Sequence, residues 1–406
     1  MRKLLPCLTL LTMILLLGFP QVAFAQPQIT QTSVVYTYGE QITFRLSLQS
    51  DQAVKKATIF FQADGDTHTN FGDAMIIPTG ENLYELSYTH QIENYRLRAF
   101  SQVEYRVEVS LEDGAIYKSP PASFYYSDNR FEWQTQEEGP FIAHWYQGDM
   151  TLAQSVLDVA QAGMAKIQSL LALPAPASLD IYIYPDVNTM REVLNPSSAD
   201  WVAGHADPDL GVVIVSLPSG PEQRLLTQQR IPHELMHIVL FQATGTGYTN
   251  LPVWLNEGLA SLAELYTNPD YEFALENAVK ADNLLPIESL CRTFPRDASN
   301  ALLSYAQSAS FTSYLHSTFG TSGLEKLVTT YANGLGCEQG FKTATGVELK
   351  QSERLWRRQA LSENITLKAI ENLAPWLVLL GAALAVPLIL AVLRIRWRKG
   401  TKVESQ

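Results

Sequence analysis

From residue 26 to about residue 129, apolar and polar side chains alternate with the period of two expected of strands that bury one face. Ile42-Thr43-Phe44-Arg45-Leu46-Ser47-Leu48 and Val103-Glu104-Tyr105-Arg106-Val107-Glu108-Val109 show it most clearly, and 34–38, 57–61 and 84–88 are shorter runs of the same kind. Tyr38-Gly39, Asp64-Gly65-Asp66, Thr79-Gly80-Glu81 and Glu112-Asp113-Gly114 punctuate the runs with turn residues. About seven strands at this spacing predict a β-sandwich of immunoglobulin or fibronectin type III style over residues 26–129. No motif within it carries chemistry, so its expected role is a spacer or docking module.

The pattern then changes period. Phe131-Glu132-Trp133 and Ile142-Ala143-His144-Trp145-Tyr146 read as strands, 152–173 as a helix, 179–184 as a strand, 187–194 as a helix and 211–216 as another strand. From 271 to 364 the periodicity is mostly helical, with 302–315 in one helix that Gly320 ends. The fold class predicted is α+β: the sandwich first, then a second domain over 130–365 in which a small mixed sheet packs on helices.

Both ends of the chain carry targeting patterns. Arg2 and Lys3 precede an apolar stretch at 8–19, and Ala23-Phe24-Ala25 places small residues where a signal peptidase reads them, so 1–25 is expected to be a secretory signal; a retained anchor is the alternative. Residues 373–393 are almost uninterrupted apolar sequence, long enough to cross roughly 30 Å of hydrocarbon. Arg394, Arg396, Arg398, Lys399 and Lys402 follow at once, which puts 394–406 in the cytoplasm and the body of the chain outside a cell membrane. A buried core helix would not explain that cationic cluster.

Charge and cysteine content narrow the function. The formal net charge is −12, and without signal and tail 22 basic residues face 40 acidic ones. Such a body is unsuited to nucleic acid or anionic lipid. Cys291 and Cys337 remain after signal removal, and an even pair in an exported chain suggests one disulfide, with two separate thiols as the alternative.

Chemistry concentrates in Ile231-Pro232-His233-Glu234-Leu235-Met236-His237. Four positions apart on a helix, His233 and His237 can offer nitrogens to one metal ion, and Glu234 falls about 100° round from His233, within reach of a water held by that ion. Glu257 follows His237 by twenty positions, inside Trp254-Leu255-Asn256-Glu257-Gly258-Leu259-Ala260. This combination resembles the gluzincin zinc metallopeptidases, which include thermolysin and the aminopeptidase N family, and more specifically the peptidase MA-like metallohydrolases, over about residues 131–358.

The resemblance implies Zn²⁺ held by His233, His237 and Glu257, with Glu234 as general base and a peptide bond as substrate. It implies Glu264 as a support for a ligand imidazole, with a solvated carboxylate as the alternative. It also implies a hydroxyl opposite Glu234 that donates to the developing oxyanion: Tyr305 first, Tyr314 next, against a tyrosine simply packed in the core. An edge strand at 211–216, or around 204–207 with His205, would pair with substrate backbone. Three ligands leave one position for water, whose pKa falls towards roughly 7 on zinc. Pro232 either starts the zinc helix or kinks it, and a start with a tethering helical run before it is the expectation. Pro252 sits at the start of the helix bearing Glu257.

The function expected is therefore a membrane-anchored extracytoplasmic zinc peptidase. A catalytically inactive surface binding or adhesion protein that uses its β domain is the alternative, and a structural zinc protein would want a fourth ligand.

Overall fold

The computed structural model describes residues 26–92, 97–194, 203–362 and 373–391, apart from 382 and 388. The expected signal (1–25) and basic tail (394–406) lie outside the described residues. The chain forms two compact units, one from Met1–Gln154 with Ser178–Pro221 and the other from Ser155–Ala177 with Glu222–Gln406.

The first unit opens with strands β1 (Gln28–Thr37), β2 (Gln41–Gln49), β3 (Val54–Ala63), β4 (Asn70–Asp73), β5 (Met75–Gly80), β6 (Leu83–Gln91), β7 (Ser101–Leu111), β8 (Ile116–Lys118) and β9 (Ala122–Tyr126). They build one sheet in the order β1-β2-β6-β5 and another in the order β4-β3-β7-β8, with β9 also on β7. With β4 counted as an extra edge strand of the second sheet, the order β1-β2-β6-β5 matches the sheet of immunoglobulin-type sandwiches that joins the first, second, fifth and fourth of seven strands. The alternation that predicted the strands is the one they use: Ile42, Phe44, Leu46 and Leu48 are buried, as are Val103, Tyr105, Val107 and Val109. Phe44 meets Phe61 of the facing sheet with ring centroids 5.1 Å apart.

A mixed sheet completes this unit. Its strands are β10 (Gln134–Glu138), β11 (Phe141–Trp145), β12 (Leu179–Tyr184), β13 (Gly204–Asp207) and β14 (Val212–Ser216), in the order β10-β11-β12-β14-β13. β11, β12 and β14 run parallel, while β10 and β13 are antiparallel edges. β14 is thus internal, and of the two segments expected at an edge it is 204–207 that lies there. His205 on it reaches Asp207. The strand expected at 131–133 does not form. Those residues are held by rings, Phe131 stacked on Tyr146 at 3.9 Å and Trp133 edge-on to Tyr184 at 5.3 Å, and the ladder starts at Gln134. His144 is a packed strand residue, bonded to Asp180 at 2.7 Å.

The sandwich and the mixed sheet share one hydrophobic core, so the compact units do not divide at residue 129. Phe100 stacks on Tyr182 with centroids 3.6 Å apart, and the Arg98 guanidinium binds Asp207 and Asp209. Helix α1 (Met150–Leu170) belongs to the second unit from Ser155 onward, and α2 (Val187–Arg191) to the first.

In the second unit, α3 (Gln223–Thr244) is followed by a 3-10 turn (Gly245–Asn250), α4 (Val253–Ala263), α5 (Asp270–Ala281), α6 (Ala298–Ala332), α7 (Cys337–Thr345) and α8 (Leu349–Gln359). Gly320, at φ 69° and ψ −176°, breaks α6 into two segments where the sequence predicted a stop. Trp254, Phe341 and Trp356 gather around Phe311 in the core. A disulfide joins Cys291 to Cys337 across 46 positions. Among the described residues, one further helix, α9 (Leu373–Ala391), is long and apolar enough to span a membrane, with a mean hydropathy of 2.3.

Candidate metal centre

α3 buries Leu235, Met236, Ile238, Val239 and Leu240 almost completely, which fixes its rotation and turns His233 and His237 to the same side. The helix does not begin at Pro232, as expected, but runs through it from Gln223. A proline leaves the carbonyl four residues back without its helical donor. That carbonyl, on Gln228, accepts the backbone N–H of Leu265 at 2.9 Å, so the interior proline leaves no polar group unpaired there. The Pro232 ring packs against Gly163 of α1.

α4 brings the third candidate ligand. Pro252 caps its start, and Glu264, seven residues after Glu257, is its C-cap. The Nε2 atoms of His233 and His237 lie 3.3 Å and 3.8 Å from Oε2 of Glu257, and ligand atoms of the three residues fall within 4.8 Å of one another. The far nitrogens are already occupied. Nδ1 of His233 is 3.0 Å from Oε1 of Glu264, and Nδ1 of His237 is 3.2 Å from both Oδ1 of Asn256 and the hydroxyl of Tyr248. Asn256 in turn donates to that hydroxyl at 2.9 Å.

With Nδ1 engaged on each ring, Nε2 is the atom turned towards Glu257, which is how paired outer contacts orient imidazole ligands. Two imidazole nitrogens and one carboxylate oxygen are a donor set suited to zinc, with room for one more ligand. The residues present therefore fit the ion that the sequence implies.

The electrostatics follow from crowding these groups. Burial disfavours the His233 imidazolium, but its hydrogen bonds to Glu257 and Glu264 and the charge of Glu234 outweigh this and raise its pKa well above the ordinary value. Burial likewise presses Glu257 upward, and the neighbouring His237 and His233 bring it below the usual carboxylate range. Glu264 stays raised, because burial exceeds what His233 returns. The buried Glu234 carboxylate acts on His233, Tyr248 and Tyr305, which sets it among them.

Tyr305 of α6 faces the same cluster, its ring 6.4 Å from that of His233. The charge of Glu257, followed by burial and the charge of Glu234, lifts its hydroxyl well above the ordinary tyrosine value, so it stays protonated and able to donate. Tyr314, half-buried, is instead stacked on Phe311. Two contributors had no assigned role in the sequence: Asn256, visible only as the letter before Glu257, and Tyr248, which sits in a turn between the two helices and carries no motif.

The profile described as Peptidase MA superfamily matches residues 159–362. Among solved structures, an aminopeptidase N family protein from Idiomarina loihiensis is 8% identical over 81% of this chain and 73% of its own, at a TM-score of 0.34. Wild-type OgpA from Akkermansia muciniphila is 16% identical over 25% of this chain and 27% of its own, at a TM-score of 0.21. A structure described as a myokine is 14% identical over 25% of this chain and 99% of its own, at a TM-score of 0.20. A search of curated proteins finds no match.

Proposed function

Because this chain belongs to the peptidase MA superfamily, we propose that it is a zinc-dependent metallopeptidase that hydrolyses peptide bonds in proteins or peptides, with Glu234 as general base. The observation that carries this reading is the convergence of His233, His237 and Glu257 within 4.8 Å beside a buried Glu234.

His233, His237 and Glu257 would hold the metal, with Glu264 fixing one imidazole and Asn256 and Tyr248 the other. When bound, zinc supplies Lewis acidity, making a water acidic and polarising the scissile carbonyl. Glu234 takes the proton of the attacking water and returns it to the leaving amine, so a single carboxylate serves both halves of the reaction. Tyr305 donates its hydroxyl hydrogen to the oxygen on which charge develops. Glu257 neutralises part of the cation's charge and leaves Glu234 free of it.

The same proposal sets the chain in a cell membrane by α9, with the body of the chain before Leu373 outside. α9 has the length and apolarity of a span, the expected tail is basic, and a disulfide suits an oxidising compartment. Protease added to intact cells would then spare α9 and the tail and degrade the rest.

The deciding experiment compares purified full-length protein, wild type beside Glu234→Gln, for metal content and for cleavage of a mixed peptide library. The expected result is equal metal and a loss of activity of about 10²- to 10⁴-fold. Equal cleavage by both proteins refutes the mechanism. Metal without cleavage in the wild type would favour the inactive binding protein.

A further inference from the structure

We infer that Lys166 and Pro232 are positioning residues for the His233 ligand, acting through the single peptide group between Glu264 and Leu265. The inference rests on His233 being a metal ligand, as proposed above.

Glu264 is where α4 ends. Its backbone leaves the helix at φ −55° and ψ 131°, yet its carboxylate must return to α3 to reach Nδ1 of His233. Its N–H still reaches the Ser261 carbonyl at 3.3 Å, but the carbonyl of a residue at a helix end has no intrahelical partner to hold it. Here both ends of the following peptide group are taken. The Glu264 carbonyl accepts the Lys166 ammonium, and the Leu265 N–H donates to the Gln228 carbonyl. Fixing both ends of one planar group fixes its orientation, and with it the direction from which the Glu264 side chain departs.

Each hold depends on a residue elsewhere. Because position 232 lacks an N–H, no helical donor competes for the Gln228 carbonyl; any other residue there would supply one. Lys166 is brought into place by α1, which packs tightly where Gly163, one turn earlier, meets the proline: a Cβ at 163 would lie 2.9 Å from the Cβ and Cγ of Pro232. One proline thus creates the acceptor for Leu265 and seats the helix that delivers Lys166. An interior proline destabilises an ordinary helix, and orientation of a ligand is a function that explains its presence one residue before His233.

The test measures Zn²⁺ and Co²⁺ dissociation constants of the full-length protein by competition with a chelating dye, alongside thermal melting of the metal-free form and the visible spectrum of the Co²⁺ form. Lys166→Met and Pro232→Ala are each expected to weaken metal binding about 10- to 100-fold, the size typical of outer contacts to metal ligands. They should also alter the cobalt spectrum, and Lys166→Arg should restore much of the affinity. In a Glu264→Ala background, Lys166→Met and Pro232→Ala should cost nothing further, since the route to His233 is already cut. Wild-type affinity in both single variants overturns the inference. So does the same fold-loss with and without Glu264, which would mean a general packing effect. Should Pro232→Ala fail to fold, the Lys166 arm decides by the same two criteria. Failure of the wild type, but not the chelating dye, to hold metal would instead refute the underlying function.

Discussion

The ring of Tyr305 lies 6.4 Å from the ring of His233, tilted by 52°, with its hydroxyl under the charges of Glu257 and Glu234. A tyrosine placed only for packing would not need to sit in that field. Tyr305→Phe should lower kcat by about 10²- to 10³-fold, the usual cost of one oxyanion donor, with KM and metal content close to wild type. Steady-state kinetics on a cleaved library peptide, with metal analysis, checks this. An unchanged kcat would return Tyr305 to the core.

Gly258 is needed for the distance between two helices. A Cβ at this position would stand 2.2 Å from Oγ1 of Thr312 and 2.6 Å from the Ser308 carbonyl oxygen, both on α6. Gly258→Ala should therefore cost about 1–3 kcal/mol of stability and weaken metal binding, since the displaced helix carries Glu257. Thermal melting and metal titration of the variant are the measurements. A wild-type melting curve would show that α4 can shift without cost.

The Cys291–Cys337 bond closes a loop of 46 positions. In the chain-entropy account a loop of this size contributes about 4 kcal/mol, so reduction should lower the melting temperature by about 10 °C. Cys291→Ser with Cys337→Ser should match the reduced protein, and should melt at the same temperature with or without reductant.

Asp207, in the first compact unit, gives an acid-dependent contribution. Burial raises its pKa, while hydrogen bonds and charge from His205 and Arg98 lower it further, to below the ordinary value. A carboxyl that is more acidic folded than unfolded stabilises fully above its unfolded pKa of about 3.9 and loses that contribution as pH falls through the folded value. Asp207→Asn should therefore melt below wild type at neutral pH, with the gap closing below about pH 4. A gap constant across that range would show that the Asp207 charge does not contribute.

The candidate cluster was legible because its spacing is local: His233 and His237 share one helix, and Glu257 lies on the next with a motif around it. The sandwich was legible for the same reason, through alternation within each run. Less visible was whatever depends on a partner far along the chain. Pro232 reads locally as a helix start or a kink, and it is the Leu265 N–H, 33 positions on, that satisfies the Gln228 carbonyl and lets the helix pass through. Phe131 and Trp133 are apolar enough for a strand, but their rings were already engaged by Tyr146 and Tyr184. Tyr248 reaches His237 from a turn whose sequence announces nothing. The shared core of sandwich and mixed sheet required Phe100 to find Tyr182, a contact no periodicity encodes.

Under the proposed topology, α9 also sets how far this chain can reach. Ten residues separate Ser362, just past the end of α8, from Leu373, and even fully drawn out they measure about 35 Å. The chemistry would then be confined to a shell close to the bilayer surface. Its natural encounters would be with neighbours diffusing in the same lipid plane, so that crowding in two dimensions, more than bulk concentration, would govern how often it cuts.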